Sequence, residues 1–297
     1  MIGEFAALGA AVSWAISALL YKKALYETKP ISANIIRLTL TSVVLFVFLI
    51  ATGLGGILRT LPPNIAVLAG LSGIIGLGFG DTLYMVSLKM IGVARAVPVT
   101  CTYPLFNLAW VAIFAQEPIT WSIALGASVI VLGVWLLSNE REEDESAVPR
   151  NILVRGLGVA LAAAILWSVS IAMMGLAVTQ TANLGGAFVI NAVRVFTIGL
   201  AFLVTAPFVD KSRDFLKLKK KTVAILLAGG IVALGFGWFL LNFSFLDTPQ
   251  SRAVPISSVT PLFSVFAGVL LFHEKVNFKI ALGSVLVVLG IFIIFVI

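Results

Sequence analysis

Residues 77–133 and 234–290 align without a gap at a constant separation of 157, and they agree at 21 of 57 positions. The matches include residues of unlike chemistry in the same order: Gly78/Gly235, Gly80/Gly237, Arg95/Arg252, Pro98/Pro255, Pro104/Pro261, Glu117/Glu274 and Gly133/Gly290. Chance similarity between two apolar stretches does not reproduce Arg, Pro and Glu in register. The same separation carries Asn34 and Arg37 onto Asn191 and Arg194, and a separation of 153 carries Ala10, Ala11, Trp14 and Ser17 onto Ala163, Ala164, Trp167 and Ser170. The chain therefore reads as a duplication, with halves at 1–138 and 151–297 joined by a charged linker at 139–150, NEREEDESAVPR.

What each half folds into follows from its apolar runs. They are about twenty residues long, enough for a helix to cross a hydrocarbon core of ~30 Å. Of the 297 residues 60% are apolar and only 11% charged, which leaves no stretch polar and long enough for a soluble domain. The expected class is an all-α polytopic membrane protein with ten transmembrane helices, near 3–21, 31–51, 64–87, 93–115, 120–138, 154–177, 186–208, 222–245, 250–272 and 278–296. The first run lacks a basic leader and a small-residue cleavage site after it, so it is read as a retained helix. Five spans per half is an odd number, so the second half is expected to enter the bilayer the opposite way up. Two inverted five-helix repeats are a recurring design of secondary transporters, in which near-equivalent halves rock around a central site.

The net charge of +7 would suggest nucleic acid in a soluble protein, but the basic residues sit mostly in the loops between apolar runs, so no nucleic acid partner is expected. They gather on the side facing the end of the first span and leave Arg59, Arg194 and Arg252 to the other. That asymmetry predicts a cell-membrane protein with its basic loops cytoplasmic and both termini outside. The single cysteine, Cys101, excludes an intramolecular disulfide and a Cys-rich metal site. The lone His273 has no ligand set around it, so neither metal nor cofactor is expected.

The Trp-containing first span with Trp14, Arg37 in the second, the pattern R-A-x-P-x(5)-P-L-F at 95–106 and 252–263, and the following Glu117 resemble the EamA family of the drug/metabolite transporter superfamily. The likeness covers essentially the whole chain and appears in both halves. It implies a ten-span transporter of small metabolites, amino acids or related solutes foremost, often exporting them. Small multidrug members of that superfamily carry a proton-coupling glutamate in the middle of the first span. This chain has Ser13, Trp14 and Ser17 there, so multidrug–proton exchange of that kind is not expected.

Within this frame the candidate site residues are polar or aromatic groups at membrane depth. Pro98, Pro104, Pro255 and Pro261 each remove a backbone donor, so the fourth and ninth spans should be kinked or locally unwound. Thr100, Tyr103, Ser257 and Thr260 lie between these prolines, either beside a solute pathway or bonded back to their own helices. Asp81 sits within the third span, where an ionised carboxylate costs about 3 kcal/mol on insertion scales, so it must face protein or water. It is a cation-recognising or proton-accepting group, which makes a proton a candidate coupling ion, a structural partner of Arg37 or Arg95, or a neutral, protonated acid.

Tyr84, one turn beyond, joins Trp14, Ser17, Trp167, Ser170 and Trp238 as walls of a cavity suited to an amphipathic solute, with plain helix packing as the alternative. Arg37 and Arg194 are read as a symmetric pair that cements helix contacts or holds an anionic group. Small-residue spacings such as Gly126 with Gly133 suit close packing of the fifth and tenth spans, whose outer faces are scaffold or a homodimer surface. The expected function is alternating-access transport of small polar or amphipathic metabolites, without catalytic residues. The alternatives are a solute receptor or an intramembrane enzyme, the latter suggested by Gly70–Leu71–Ser72–Gly73, which resembles the nucleophile motif of intramembrane serine proteases.

Overall fold

The structure, a computed structural model, describes residues 1–91, 96, 99–138, 149–263, 266 and 278–296. Pro98, Arg95, His273, Glu274 and most of the charged linker lie outside the described residues. Among the described residues every regular element is helical. In chain order they are α1 (Ile2–Leu25), α2 (Pro30–Ala51), α3 (Gly55–Thr60), α4 (Pro63–Ile91), α5 (Tyr103–Ala115), α6 (Trp121–Ser138), α7 (Arg150–Thr179), α8 (Leu184–Val209), α9 (Lys220–Asp247), α10 (Gln250–Ser257) and α11 (Phe278–Val296).

Helix starts follow local chemistry. Pro30 and Pro63 open α2 and α4, where a missing N–H costs nothing. Asn183 caps α8, its Oδ1 accepting from the Gly186 amide at 2.7 Å. Six helices, α1, α2, α4, α7, α8 and α9, are long and apolar enough to cross a membrane, at 22 to 30 residues. Shorter apolar helices accompany them at α5, α6 and α11. Large apolar side chains such as Val43 and Val47 on α2, Leu203 and Val204 on α8 and Val285 and Phe292 on α11 remain exposed. On helices of spanning length, such side chains are the lipid-facing surface.

The helices do not pack in chain order. α1 lies along α9 and α10, while α7 lies along α4 and α5, so each of these first helices is embedded in the other half of the sequence. α2 packs on α8, and α6 on α11. At the α6–α11 crossing a Cβ on Gly133 would stand 2.8 Å from the Gly283 carbonyl, so only glycine permits this approach.

Two features recur at the 157-residue separation. Ile74–Gly80 in α4 and Ile231–Gly237 in α9 are π-helical. Each ends with a five-residue bond, from Asp81 N–H to the Gly76 carbonyl and from Trp238 N–H to the Ala233 carbonyl. Asn34 Nδ2 donates to the Leu77 carbonyl at 3.1 Å, and Asn191 Nδ2 to the Leu234 carbonyl at 2.7 Å, tying α2 and α8 to these wide turns. The backbone also leaves helical geometry at Cys101–Thr102 and at Ser258–Val259, just before Pro104 and Pro261. A proline needs no donor at a helix start, so Pro104 falls in the first turn of α5.

Candidate functional site

Asp81 is the first residue after the π turn of α4, where the bundle's buried polar groups converge. Its Oδ2 forms an ion pair with Arg37 Nη2 on α2, and its Oδ1 accepts from Trp167 Nε1 on α7 at 2.8 Å. Both charges are nearly sealed, with Asp81 7% and Arg37 3% exposed. Arg37 Nη2 also donates to Asn34 Oδ1 at 2.5 Å, and its guanidinium lies 4.9 Å from the centre of the Tyr21 ring. Tyr21 in turn donates to the Gly229 carbonyl of α9 at 2.7 Å.

Trp167 then leads into an aromatic wall. Tyr84 lies 5.0 Å from it, tilted, and Tyr103 lies 6.2 Å away, edge on. Tyr103 Oη is 3.3 Å from Ser257 Oγ on α10, and because Ser257 donates to its own Val254 carbonyl at 2.8 Å, the tyrosine is the donor.

A second cluster sits at the equivalent positions. Trp238, the counterpart of Asp81, packs edge on against Trp14 at 5.1 Å. The Arg194 guanidinium lies 4.3 Å from the centre of the Trp238 ring. Arg194 Nη2 donates to Ser170 Oγ at 2.9 Å and Nη1 to Met174 Sδ at 2.8 Å, while Ser170 Oγ donates to the Ser72 carbonyl at 2.6 Å. Each first helix thus brings a tryptophan to the far half: Trp167 to Asp81, and Trp14 to Trp238.

Of the sequence-predicted residues, Trp14, Asp81, Tyr84, Tyr103, Trp167, Ser170, Trp238 and Ser257 join these two clusters together with Arg37 and Arg194. Ser17 instead donates to its own Trp14 carbonyl at 2.9 Å, and Thr260 Oγ1 reaches the Ser257 carbonyl at 3.5 Å. Thr100 is buried beside the Cys101–Thr102 turn, and Pro104, Pro255 and Pro261 are buried around the same level of the chain. Pro98 lies outside the described residues. Ser72, the serine of the GxSG string, is fully buried and donates to its own Ala69 carbonyl at 2.7 Å. Among the described residues no cluster of His, Cys, Asp and Glu could hold a metal.

Sequence reasoning missed Tyr21 and Met174. Both carry a readable signal, since Trp14, Ser17 and Tyr21, like Trp167, Ser170 and Met174, fall at i, i+3 and i+7 on one helix face. Glu117, which the sequence places at the end of the fourth span as a residue fixing loops and half-to-half contacts, makes such a contact. The Glu117 carboxylate accepts from the backbone amides of Gln250 and Ser251 at 3.0 and 2.8 Å, capping α10 from the other half. Glu117→Ala is expected to lower stability by about 1–2 kcal/mol. Thermal unfolding in detergent checks this, and an unchanged midpoint would show that water replaces the cap.

Outside the buried clusters, a cleft of about 420 Å³ opens at the loops, lined by Glu27, Thr28, Lys29, Lys89, Asp214 and Lys217 among others. Lys29 bonds Asp214 at 2.5 Å. That hydrogen bond, with a second from Ser212, holds the Asp214 carboxyl down to about 2, and the same pairing raises Lys29. The loop pair therefore stays ionised across the neutral range: the Asp214 contribution is lost as pH falls from the ordinary carboxylate range toward 2, and the Lys29 contribution as pH rises through the raised Lys29 pKa.

The geometry is that of a membrane bundle with ionic and aromatic groups sealed at its centre, and similarity to known proteins agrees with it. The chain is 23% identical over 291 residues to an uncharacterized transporter of Archaeoglobus fulgidus, covering 98% of this chain and 97% of that protein. A 60-residue segment is 35% identical to a probable 4-amino-4-deoxy-L-arabinose-phosphoundecaprenol flippase subunit of Proteus mirabilis, over 18% of this chain and 45% of that one. A solved crystal structure superposes with a TM-score of 0.76 at 20% identity, covering 98% of this chain and 95% of the other, which establishes likeness of fold. The model of the EamA-like transporter family matches residues 1–139 and 154–296. Spanning helices and a match over nearly the full length together identify a multi-pass membrane transporter, and the chain belongs to the EamA-like transporter family.

Proposed function

We propose that the chain is a secondary transporter that moves small polar or amphipathic metabolites, amino acids or related solutes, out of the cell by alternating access. The reading takes ten spans in two inverted five-helix repeats, with the basic loops cytoplasmic and both termini outside. The observation that carries it is the reciprocal placing of Trp167 on Asp81 and of Trp14 on Trp238. Two positions separated by 157 residues each receive an indole from the opposite half, an arrangement suited to halves that exchange roles. The broken backbone at Cys101–Thr102 and Ser258–Val259 supports a pathway there, because irregular backbone at membrane depth needs protein or cavity water around it. A proton is the candidate coupling ion, since Asp81 is the buried carboxylate inside the spans among the described residues. The exposed apolar faces of α6 and α11 are a candidate homodimer surface.

Proteoliposomes test this directly. Counterflow of an amino acid or related metabolite is expected, and its rate should respond to an imposed pH gradient. Tight solute binding without any flux would instead establish a receptor.

A further inference from the structure

The buried charges inside the spanning helices do not balance. Among the described residues they are Arg37, Arg194 and Asp81, two cations against one anion. Both oxygens of Asp81 are engaged, one by Arg37 and the other by Trp167. Arg194 is 0% exposed, and no described carboxylate pairs with it. Its partners are a thioether, a hydroxyl and the Trp238 ring, all neutral, and its Nε has no hydrogen-bond partner among the described residues. A delocalised guanidinium holds its proton far more tightly than an ammonium, so an arginine is poorly suited to neutralise itself to escape this. An uncompensated guanidinium in a dry interior is strongly unfavourable, and such residues mark solute or ion pathways.

We propose that the transported solute supplies the missing charge: the substrate is a small amphipathic carboxylate whose acid group engages the free Nε–H edge of Arg194. Among the described residues the surplus is one positive charge, which a monoanion neutralises and a doubly charged phosphate would overshoot. The planar fork of the guanidinium matches a carboxylate in geometry. Trp238 and Trp14 beside it offer an apolar surface for the rest of the molecule. An ammonium group on the solute finds no unengaged carboxylate among the described residues of the spans, since both Asp81 oxygens already accept a hydrogen bond. The site therefore recognises the acid and is indifferent to the amine. Reaching Arg194 requires α4 to part from α8, because Gly73 of α4 rests on the Arg194 backbone and Gly76 on Ser170. The π turn at Ile74–Gly80 places a weak point of α4 at that contact.

The inference rests on the transporter reading, and one paired experiment separates the two. Binding to the full chain in lipid nanodiscs is measured by calorimetry with 3-phenylpropionate, phenylalanine and phenethylamine, which share one body and differ in charge, alongside acetate and chloride. The two larger carboxylates are expected to bind with affinities within about threefold of each other and the amine at least about tenfold more weakly, the scale of a charge-assisted pair. Arg194→Gln should lose about tenfold in carboxylate affinity, and Arg194→Lys, which keeps the charge but not the fork, should lose less. Equal or tighter binding of the amine, no binding of any carboxylate, or chloride matching the carboxylates would each overturn the assignment using wild-type protein alone. Flux of the same compounds in proteoliposomes reads the other question. Carboxylate bound but never moved would refute transport and leave the anion site standing, whereas flux of the amine alone would keep transport and refute the anion site.

Discussion

Removing the Asp81 side chain, as in Asp81→Ala, is expected to destabilise the protein by about 3–5 kcal/mol, because it strands Arg37 as a buried unpaired cation. The ion pair and the Trp167 hydrogen bond both end on this carboxylate, so two partners are orphaned at once. Replacing both charges, Arg37→Met with Asp81→Leu, should recover most of that loss, since apolar side chains of similar volume dispense with desolvation altogether. Transport should not recover, if the carboxylate belongs to the pathway. Arg194 is expected to behave in the opposite way. It has no buried anion to strand among the described residues, so Arg194→Met should leave stability unchanged or raise it while weakening carboxylate binding by at least about tenfold. Chemical unfolding in detergent, set beside flux, reads all three variants. A cost below about 1 kcal/mol for Asp81→Ala would show that water reaches Arg37 and that the pair is not sealed.

Adding one methyl group at Gly73 should be nearly as damaging, and more so than at its counterpart Gly230. A Cβ at Gly73 would collide with the Arg194 carbonyl, its α carbon and its carbonyl carbon, all backbone atoms of α8. Backbone in a packed helix cannot step aside, so Gly73→Ala is expected to cost about 3 kcal/mol, the upper range for overpacking. At Gly230 the colliding atom is the Thr41 hydroxyl, with Arg37 Cγ further off at 3.3 Å. A side-chain rotation relieves that clash, and Gly230→Ala should cost about 1 kcal/mol. Equal losses at the two positions would mean that α4 and α8 can separate without penalty in the resting state. Because α4 carries Asp81 and α8 carries Arg194, the same comparison reports how tightly the two charged helices are held together.

Much of this site was legible before any fold was known, for identifiable reasons. Asp81, Arg37 and Arg194 stand out because a charge within an apolar run of spanning length is costly enough to need a purpose. Trp14 and Trp167 stand out because they recur at a fixed separation with their flanking alanines and serines. Tyr21 was lost because Lys22 and Lys23 follow it and suggested a helix end, whereas α1 continues to Leu25 and carries Tyr21 onto Arg37. Met174 was lost because a thioether in an apolar run carries no polar signature, and only its meeting with Arg194 reveals it. The π turns were hidden too, since glycine-rich strings at 74–80 and 231–237 are equally compatible with ordinary α-helix.

The amino-acid sequence by itself determined the membrane class and the 157-residue correspondence, because apolar run length and residue identity are properties of the chain read one position at a time. Partnership was decided only by the tertiary structure. Asp81 had Arg37 and Arg95 as rival partners at sequence level, and packing of α2 against α4 brought Arg37 to it. Arg194, equivalent to Arg37 in register, has no carboxylate partner among the described residues because the position facing it holds Trp238 instead of an acid. Local sequence specifies what each side chain can donate or accept. Which group it meets depends on helices distant in the chain crossing within a few ångströms, and in a bilayer, where no water corrects a mismatch, that crossing decides which charge is satisfied and which awaits a ligand.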